Sequence, residues 1–251
     1  MKIRTFHGKY GVITMSDKLI QWPKAVYWTK TYNPIIGCQK ISPACQNCYA
    51  KAWADRFNVS FEPHSASKKK PPKTGICFCG NVTDLFGDWV SSPADIIKSA
   101  IDWRSDATYL WLTKRVQNMC EALNEVEGLT TFQHYFGFTA ENQEWYDKRM
   151  SIVREAFPSW AKLWISVEPM LGPIDLRLSE LYHKPNTIIV GSESGRNRRF
   201  CDEDWITGIV EQCLKANVSV FVKQVCLKSG KFTNKIEEFP RHLQVRQLGW
   251  L

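Results

Sequence analysis

Short apolar runs recur along the chain at intervals of roughly 25–35 residues, the length of a β-α unit. The runs are rich in β-branched and aromatic residues, which favour strands. Between them lie helical patterns with apolar residues three and four positions apart, most clearly at residues 93–101 and 204–214. The predicted strands are residues 25–28, 75–79, 108–112, 134–138, 162–167, 186–190 and 218–222.

Near-continuous apolar strands that alternate with helices predict an α/β fold with a parallel sheet. Such a sheet is either covered by helices on both faces or closed into a barrel. The 251 residues suffice for one sizeable core, and we expect one domain over residues 24–224. Residues 1–23 are predicted to be an N-terminal extension that packs on this domain. Residues 225–251 are predicted to be a C-terminal tail that closes the barrel.

Charged or hydrogen-bonding side chains follow the predicted strands. Because the carboxyl ends of parallel strands build the active sites of barrels and open α/β sheets, these side chains are expected to converge on one rim. For any single residue the alternative is that it caps the next helix. The set carries more charge than caps need, which favours a shared pocket. The residues are Asn81, Thr83, Asp84, Thr113, Lys114, Arg115, Thr139, Glu141, Asn142, Glu168, Ser192, Glu193, Ser194, Lys223 and Gln224.

Three cysteines, Cys38, Cys45 and Cys48, lie in a C-x6-C-x2-C pattern in a loop after the first predicted strand. A Cys-x2-Cys pair in a short loop brings two thiolates to one metal centre, and the earlier cysteine completes a tripod. A structural zinc site needs four protein ligands, whereas three cysteines on a four-iron cluster leave one iron open. The pattern therefore favours a [4Fe-4S] cluster, with zinc or simply buried thiols as the alternatives.

Composition and charge restrict the class of protein further. No run of about 18 apolar residues spans a membrane, and the first residues lack the apolar core of a signal peptide, so we expect a cytoplasmic protein without a membrane partner. Nine cysteines in such a chain indicate ligands and core thiols rather than disulfides. The formal charge of +8 favours an anionic partner, although ordinary enzymes can carry a similar surplus.

The chain resembles a family of phage and bacterial three-cysteine proteins of unknown function that look like radical SAM enzymes. The resemblance runs nearly end to end and depends on the order of several short motifs. They are YNP at 32–34 with the three cysteines, TDLFG at 83–87, LTKR at 112–115, TAEN at 139–142, SVEPMLGP at 166–173, VGSESG at 190–195 and VKQ at 222–224.

The resemblance implies a partial (β/α) barrel of the radical SAM type, with parallel strands, outer helices and a cluster that reductively cleaves S-adenosylmethionine to a 5′-deoxyadenosyl radical. Two departures are a six-residue gap where C-x3-C-x2-C is usual, and Asn47 where an aromatic residue precedes the last cysteine. Polar residues near the strand ends are the expected contacts of S-adenosylmethionine. They are Tyr49, Asn81, Thr83, Asp84, Thr139, Glu141, Asn142, Ser166, Glu168, Ser192 and Glu193.

A basic segment after the strand at 186–190 is expected on the same rim and favours an anionic substrate. DNA, RNA or a nucleotide fits best, with base modification or repair as the reaction, while a peptide or small acidic metabolite stays open. A reductive enzyme of this kind also needs an electron donor such as flavodoxin or ferredoxin. The rival hypothesis is a zinc- or cluster-stabilised nucleic-acid-binding module without catalysis. Candidate substrate or catalytic residues are Lys114, Arg115, Arg196, Arg198, Arg199, Lys223 and Gln224.

The cysteine pattern generates a direct prediction. Replacing Cys38, Cys45 or Cys48 by Ala should abolish the iron and acid-labile sulfide of anaerobically reconstituted protein, because each thiolate holds one iron. Cys120→Ala, in a helical pattern elsewhere, should keep both. Stoichiometric zinc without iron in the wild type would contradict the cluster.

Overall fold

The computed structural model describes residues 3–8, 11–16, 22, 24–66, 70–103, 106–126 and 133–251. Within these residues the fold is mixed α/β, with an eight-stranded, mostly parallel sheet and five α-helices. Six of the predicted strands lie where the apolar runs are. The strands of this sheet are β3 (Lys30–Tyr32), β6 (Ile76–Cys79), β7 (Thr108–Thr113), β8 (His134–Thr139), β9 (Lys162–Val167), β10 (Thr187–Gly191), β11 (Ser219–Cys226) and β12 (Phe232–Thr233).

The first strand of the sheet differs from the prediction. It spans Lys30–Tyr32 rather than residues 25–28, and Lys30 pairs with Cys77 of β6. The Tyr27 ring instead packs among the strand side chains on one face of the sheet, and Trp28 lies beside it. Aromatic residues are common both in strands and in buried loop segments, so only the tertiary contacts show which of these residues 25–28 form.

The strand order is β12-β11-β10-β9-β8-β7-β6-β3, so that from β6 to β11 each strand lies beside its neighbour in sequence. All pairs are parallel except β11 with β12, which is antiparallel. The sheet is not closed: among the described residues, β3 and β12 form its two edges and do not pair with each other. The predicted parallel strands are thus confirmed, and a closed barrel is not what the structure has.

Three of the five helices begin at a residue whose side chain accepts a hydrogen bond from an amide of the first turn. Ser92 accepts from the Asp95 amide at the start of the helix Pro93–Asp102, and Asp202 accepts from the Asp204 amide at the start of the helix Glu203–Lys215. Pro93 adds a favourable first helical residue. The helices are α1 (Tyr49–Arg56), α2 (Pro93–Asp102), α3 (Val116–Asn124), α4 (Gln143–Ala156) and α5 (Glu203–Lys215). None of the described helices is long and apolar enough to cross a membrane.

Side chains of the strands alternate between two faces. Cys77 and Cys79 of β6 join the larger apolar cluster, which also contains buried residues of α2, α3, α4 and α5. Ile76 and Phe78 join a second cluster that contains no helix residues. Helices therefore cover one face of the sheet, and the predicted alternative of a sheet covered on both faces is not what the structure has. The two thiols are core residues on the helix-covered face, as expected for small buried cysteines.

The sheet curls strongly about its helix-free face. The Tyr27 ring lies 6.2 Å from the Phe78 ring on β6 and 5.6 Å from the Phe221 ring on β11. Five strand spacings of about 4.8 Å separate β6 from β11, or roughly 24 Å across a flat sheet. The two outer rings lie within about 12 Å of each other through Tyr27. Consequently this face is the inside of a deep trough.

The C-terminal segment runs antiparallel along β11 and then passes across the amino ends of the strands. The Val222 amide donates to Val245 O, and the Gln247 amide donates to Val220 O. The Gly249 amide donates to Thr187 at the start of β10, and Trp250 packs on the Trp164 ring at 5.9 Å. The segment thus closes the amino ends of the strands and leaves their carboxyl ends open.

Of the predicted N-terminal extension, residues 1–23, the structure describes residues 3–8, 11–16 and 22. Its described backbone forms an antiparallel hairpin of β1 (Ile3–Gly8) and β2 (Gly11–Ser16), with Ile3 opposite Ser16. A second short pair, β4 (Ile35–Ile36) and β5 (His64–Ser65), brackets the cysteine loop and α1.

The buried indole of Trp250 should contribute strongly to stability. Trp250→Ala is expected to lower the free energy of unfolding by about 3–5 kcal/mol, because it empties the space between Tyr27, Tyr135 and Trp164. Urea unfolding followed by circular dichroism measures the loss. Leu251→Ala, next in sequence and 61% exposed, should stay within about 0.5 kcal/mol of wild type. Equal effects of the two substitutions would contradict the role of Trp250.

Candidate functional site

The cysteine loop, residues 37–48, lies at the carboxyl ends of the strands. It begins at Gly37, whose φ is +90° and whose missing Cβ would lie 2.5 Å from Glu62 O, so a side chain does not fit. A 3-10 turn over Pro43–Cys45 follows, and Cys48 is the N-cap of α1. The 3-10 turn and the start of α1 together fix the backbone at Cys45 and Cys48, the pair that the short spacing predicts to act together.

Four strand-end residues bind the backbone of this loop. The Thr83 hydroxyl donates to Gly37 O at 2.6 Å, and Arg115 donates to Gln39 O at 3.4 Å. The remaining two contacts come from the residues that follow β8 and β10. Glu141 accepts from the Ala44 amide at 3.4 Å, and Arg199 donates to Pro43 O at 2.9 Å.

Glu141 belongs to a fully buried ion pair beneath the loop. Its carboxylate lies 2.6 Å from the Arg149 guanidinium, and both side chains are at most 2% exposed. Arg149, on α4, also donates to Thr139 O at 2.8 Å. Sequence analysis expected Glu141 to bind S-adenosylmethionine, but its carboxylate does not line the cavity described below. In this structure Glu141 supports the loop by accepting a hydrogen bond from the Ala44 amide.

Glu193 and Arg199 form a second ion pair that joins the loop to the segment after β10. Arg199 donates to both carboxylate oxygens of Glu193, and Asn47 donates to one of them at 2.9 Å. Burial raises the pKa of Glu193, but these hydrogen bonds from Arg199 and Asn47 lower it more, and its net pKa falls below the usual value. Arg199 is therefore bound to protein groups, which differs from its predicted role as a substrate contact. Asn47 thereby joins the loop to Glu193.

Asp84 organises a third group of polar contacts. It accepts from the Thr113 hydroxyl at 2.7 Å, from the Lys114 amide at 3.1 Å and from Arg115 at 3.3 Å. The Arg115 guanidinium also lies over the Trp89 ring at 4.6 Å. Asp84 and Arg115 thus neutralise each other at the edge of the cavity, and among the described residues the Lys114 side chain forms no ion pair.

A cavity of about 1110 Å³, counting its solvent-open mouth, lies in the upper part of the trough. All three cysteines of the loop form one part of its wall, and strand-end residues form the rest. Sequence-predicted residues that line it are Cys38, Cys45, Cys48, Tyr49, Asn81, Thr83, Asp84, Lys114, Arg115, Thr139, Ser166, Glu168, Glu193 and Lys223. The same cysteines also line a neighbouring cleft with Lys40, Lys51 and Phe61.

The far wall of the cavity carries a carboxylate with a free oxygen. Glu168 Oε1 lies 2.6 Å from Lys223 Nζ and 3.1 Å from Gln224 Nε2. Its Oε2 has no hydrogen-bond partner among the described residues. Gln224 also donates to Ser192 O at 2.6 Å and so holds the end of β10. Glu168 therefore offers a positioned acceptor to a ligand in the cavity.

The cysteine thiols differ in their readiness to ionise. Burial and the charge of Asp84 raise the pKa of Cys38 to about 11, although Arg115 opposes them. Burial also raises the pKa of Cys45, but the positive charge of Lys114 and hydrogen bonds at Ile41 and Ser42 lower it more, and the net pKa is below its ordinary value. Because metal ligands are thiolates, binding at Cys38 must release a proton.

The three cysteines share one cavity wall. Within the described parts of the chain, no three Cys, His, Asp or Glu side chains are grouped to hold one metal ion. A zinc ion would need its sulfurs about 2.3 Å from one point, whereas each cysteine of a four-iron cluster binds a different iron. A cluster at Cys38, Cys45 and Cys48 stays a prediction from the spacing.

A family model matches residues 23–247, nearly the whole chain. Its description is a protein of unknown function, DUF5131. The chain belongs to this family. Comparison with curated proteins gave no match, and comparison with solved structures gave none. The match begins where the predicted domain begins and ends within the C-terminal segment.

Several predicted residues of this DUF5131 chain lie away from the cavity. Asn142 accepts from the Trp145 amide as the N-cap of α4, which is the capping alternative. Ser192 is fully buried, and Gln224 reaches the cavity only through Glu168. Arg196 and Arg198 lie exposed on the segment after β10. Together with Glu141 and Arg199, these residues are not part of the cavity wall.

Sequence reasoning missed three residues of the site. Tyr27 and Trp28 line the cavity from below, but their aromatic run resembled a strand. Arg149 lies in the middle of α4, where a charged residue normally faces solvent. Arg149 follows Glu141 by eight residues, and only the fold shows that the two side chains meet.

Arg149 should be essential to the stability of the loop. Arg149→Met is expected to cost about 3–5 kcal/mol of unfolding free energy, because it leaves the buried Glu141 carboxylate without a partner. Urea unfolding at pH 7 measures the cost. Arg177→Met breaks the half-exposed pair with Asp147 and should cost at most about 1 kcal/mol.

A double variant tests the cause. Adding Glu141→Leu to Arg149→Met removes both charges and should recover part of the lost stability. A double variant less stable than Arg149→Met would show that the carboxylate itself is not the source of the penalty.

Proposed function

We propose that this DUF5131 protein is a radical SAM-type iron-sulfur enzyme that acts on an anionic substrate, with a nucleic acid or a nucleotide as the preferred class. One observation carries the proposal: the three cysteines and a set of polar strand-end residues surround one cavity at the carboxyl ends of a curled parallel sheet. The proposal treats this sheet as the partial (β/α) barrel that the resemblance implies.

Cys38, Cys45 and Cys48 would hold a [4Fe-4S] cluster and leave one iron open for S-adenosylmethionine. When bound, the cluster supplies one electron, and cleavage of a carbon–sulfur bond of S-adenosylmethionine yields methionine and a 5′-deoxyadenosyl radical. A partner such as flavodoxin or ferredoxin would deliver that electron.

The residues of the cavity suit the two charged ends of the methionine part. Glu168 offers its unpartnered oxygen to an ammonium group, and Lys223 keeps this carboxylate in place. Lys114 offers a cation to a carboxylate or a phosphate, since no described residue forms an ion pair with it. Leu112, Phe78 and Tyr27 form an apolar floor that excludes water from a reactive intermediate.

Two cations outside the cavity support an anionic substrate. Arg196 and Arg198 are exposed beside the cavity mouth, and neither pairs with a carboxylate among the described residues. The formal charge of +8 points to the same class of partner. An acidic peptide or metabolite would meet the same cations, and substrate trials distinguish them.

Formation of 5′-deoxyadenosine tests the proposal. Reconstituted, dithionite-reduced protein should convert S-adenosylmethionine to 5′-deoxyadenosine, detected by chromatography. Glu168→Gln should lower the yield per unit time about 10- to 100-fold, because it removes a charged hydrogen bond. Glu144→Gln, on the exposed side of α4, is the matched control and should act as wild type.

A reducible, fully loaded cluster that yields neither 5′-deoxyadenosine nor methionine would overturn the proposal. Stoichiometric zinc with no iron would move the function to a binding module without catalysis.

A further inference from the structure

Three aromatic side chains form an exposed stripe on α1, directly after the cysteine loop. They are spaced four residues apart: Tyr49 and Trp53 lie on one side of α1, and Phe57 is its C-cap residue. They are 58%, 50% and 56% exposed, and the Trp53 and Phe57 rings are 5.2 Å apart. Single exposed aromatics are ordinary, but a row of three is not.

The helix is inverted relative to an ordinary amphipathic helix. Its buried residues are Ala50 and Ala54, while the aromatic side chains are about half exposed. Burying one such ring usually stabilises a fold by about 1.5–3 kcal/mol. A fold that buries alanines and exposes aromatics at this place gives up that stabilisation, which indicates a surface made for a partner.

The stripe reaches the cavity mouth. Tyr49 lines the cavity, and its hydroxyl donates to Asn81 O. On the other side of the cysteine loop lies the exposed segment with Arg196, Arg198 and Phe200. Asn47 donates to Asn197 O at 2.8 Å and so joins this segment to the loop. Rings and guanidinium groups therefore flank one opening.

We propose that the stripe and the two arginines form one binding track for single-stranded DNA or RNA across the cavity mouth. Unpaired bases stack on exposed aromatic rings, and arginines bind the phosphates. Duplex bases are already stacked and would not use the rings. An apolar protein partner would explain the rings but not the two arginines that lack a carboxylate partner in the described structure. The inference that this track guides a substrate to the cavity rests on the proposed function, whereas the inference that it binds a single strand does not.

Fluorescence anisotropy with labelled 20-nucleotide single strands of DNA and of RNA tests the track on the full chain. Trp53→Ala and Phe57→Ala should each weaken binding about 5- to 150-fold, the usual effect of losing one stacked base. Tyr182→Ala removes an aromatic side chain that is 84% exposed outside the track and should leave affinity unchanged. Circular dichroism checks that each variant is folded.

Salt dependence tests the arginines separately. For Arg196→Gln with Arg198→Gln, the plot of log affinity against log salt should become less steep by about 1.4, since each phosphate contact on a single strand contributes about 0.7. A matched duplex of the same sequence should bind more weakly than the single strand.

Two outcomes overturn the inference. One is no strand binding at low salt. The other is strand binding that stays unchanged in the Trp53→Ala and Phe57→Ala variants. This outcome includes the case in which the two substitutions abolish only the self-association of the chain. Strand binding without 5′-deoxyadenosine formation would refute the proposed function alone, and 5′-deoxyadenosine formation without strand binding would refute the track alone.

Discussion

Burial of two carboxylates beneath the cysteine loop constrains the site more than any other interaction. Glu141 and Glu193 have lost most of their hydration, and a buried charge is tolerated only with a well-placed partner. Arg149 and Arg199 supply those partners, and the remaining donors come from the loop itself through Ala44 and Asn47. Movement of the loop would therefore remove a hydrogen-bond donor from each buried carboxylate, which favours fixed positions of the cysteines over the cavity.

This requirement divides the polar strand ends between two tasks. Thr83, Arg115, Glu141 and Arg199 bind the backbone of the loop. Glu193 binds the Asn47 side chain of the loop, and Arg149 holds Glu141. Other residues line the cavity, namely Glu168, Lys114 and Lys223. A charged residue after a strand is therefore not in itself a ligand contact, because holding a long loop over the cavity needs charges as well.

Aromatic side chains fill the end of the trough opposite the cysteine loop. Tyr27, Trp164 and Trp250 pack there at the amino ends of the strands. Trp164 meets the other two rings edge to face, an arrangement that adds to the stability gained by burial. Within the described residues, the cavity lies at the other end, beside the cysteine loop and the start of α1.

The amino-acid sequence by itself determined six of the strands, the alternation of strands with helices and the cysteine pattern, because apolar periodicity and metal-ligand spacing are local properties. It also determined which polar residues follow each strand. Only the tertiary structure decided which of them face the cavity: beyond the last paired residue a side chain no longer alternates between faces, and the path of the loop directs it. The tertiary structure alone also brought Arg149 to Glu141, placed residues 25–28 beneath the cavity rather than in a strand, and left the sheet open. Each of these features depends on contacts between residues that are far apart in the chain, which no local pattern reveals.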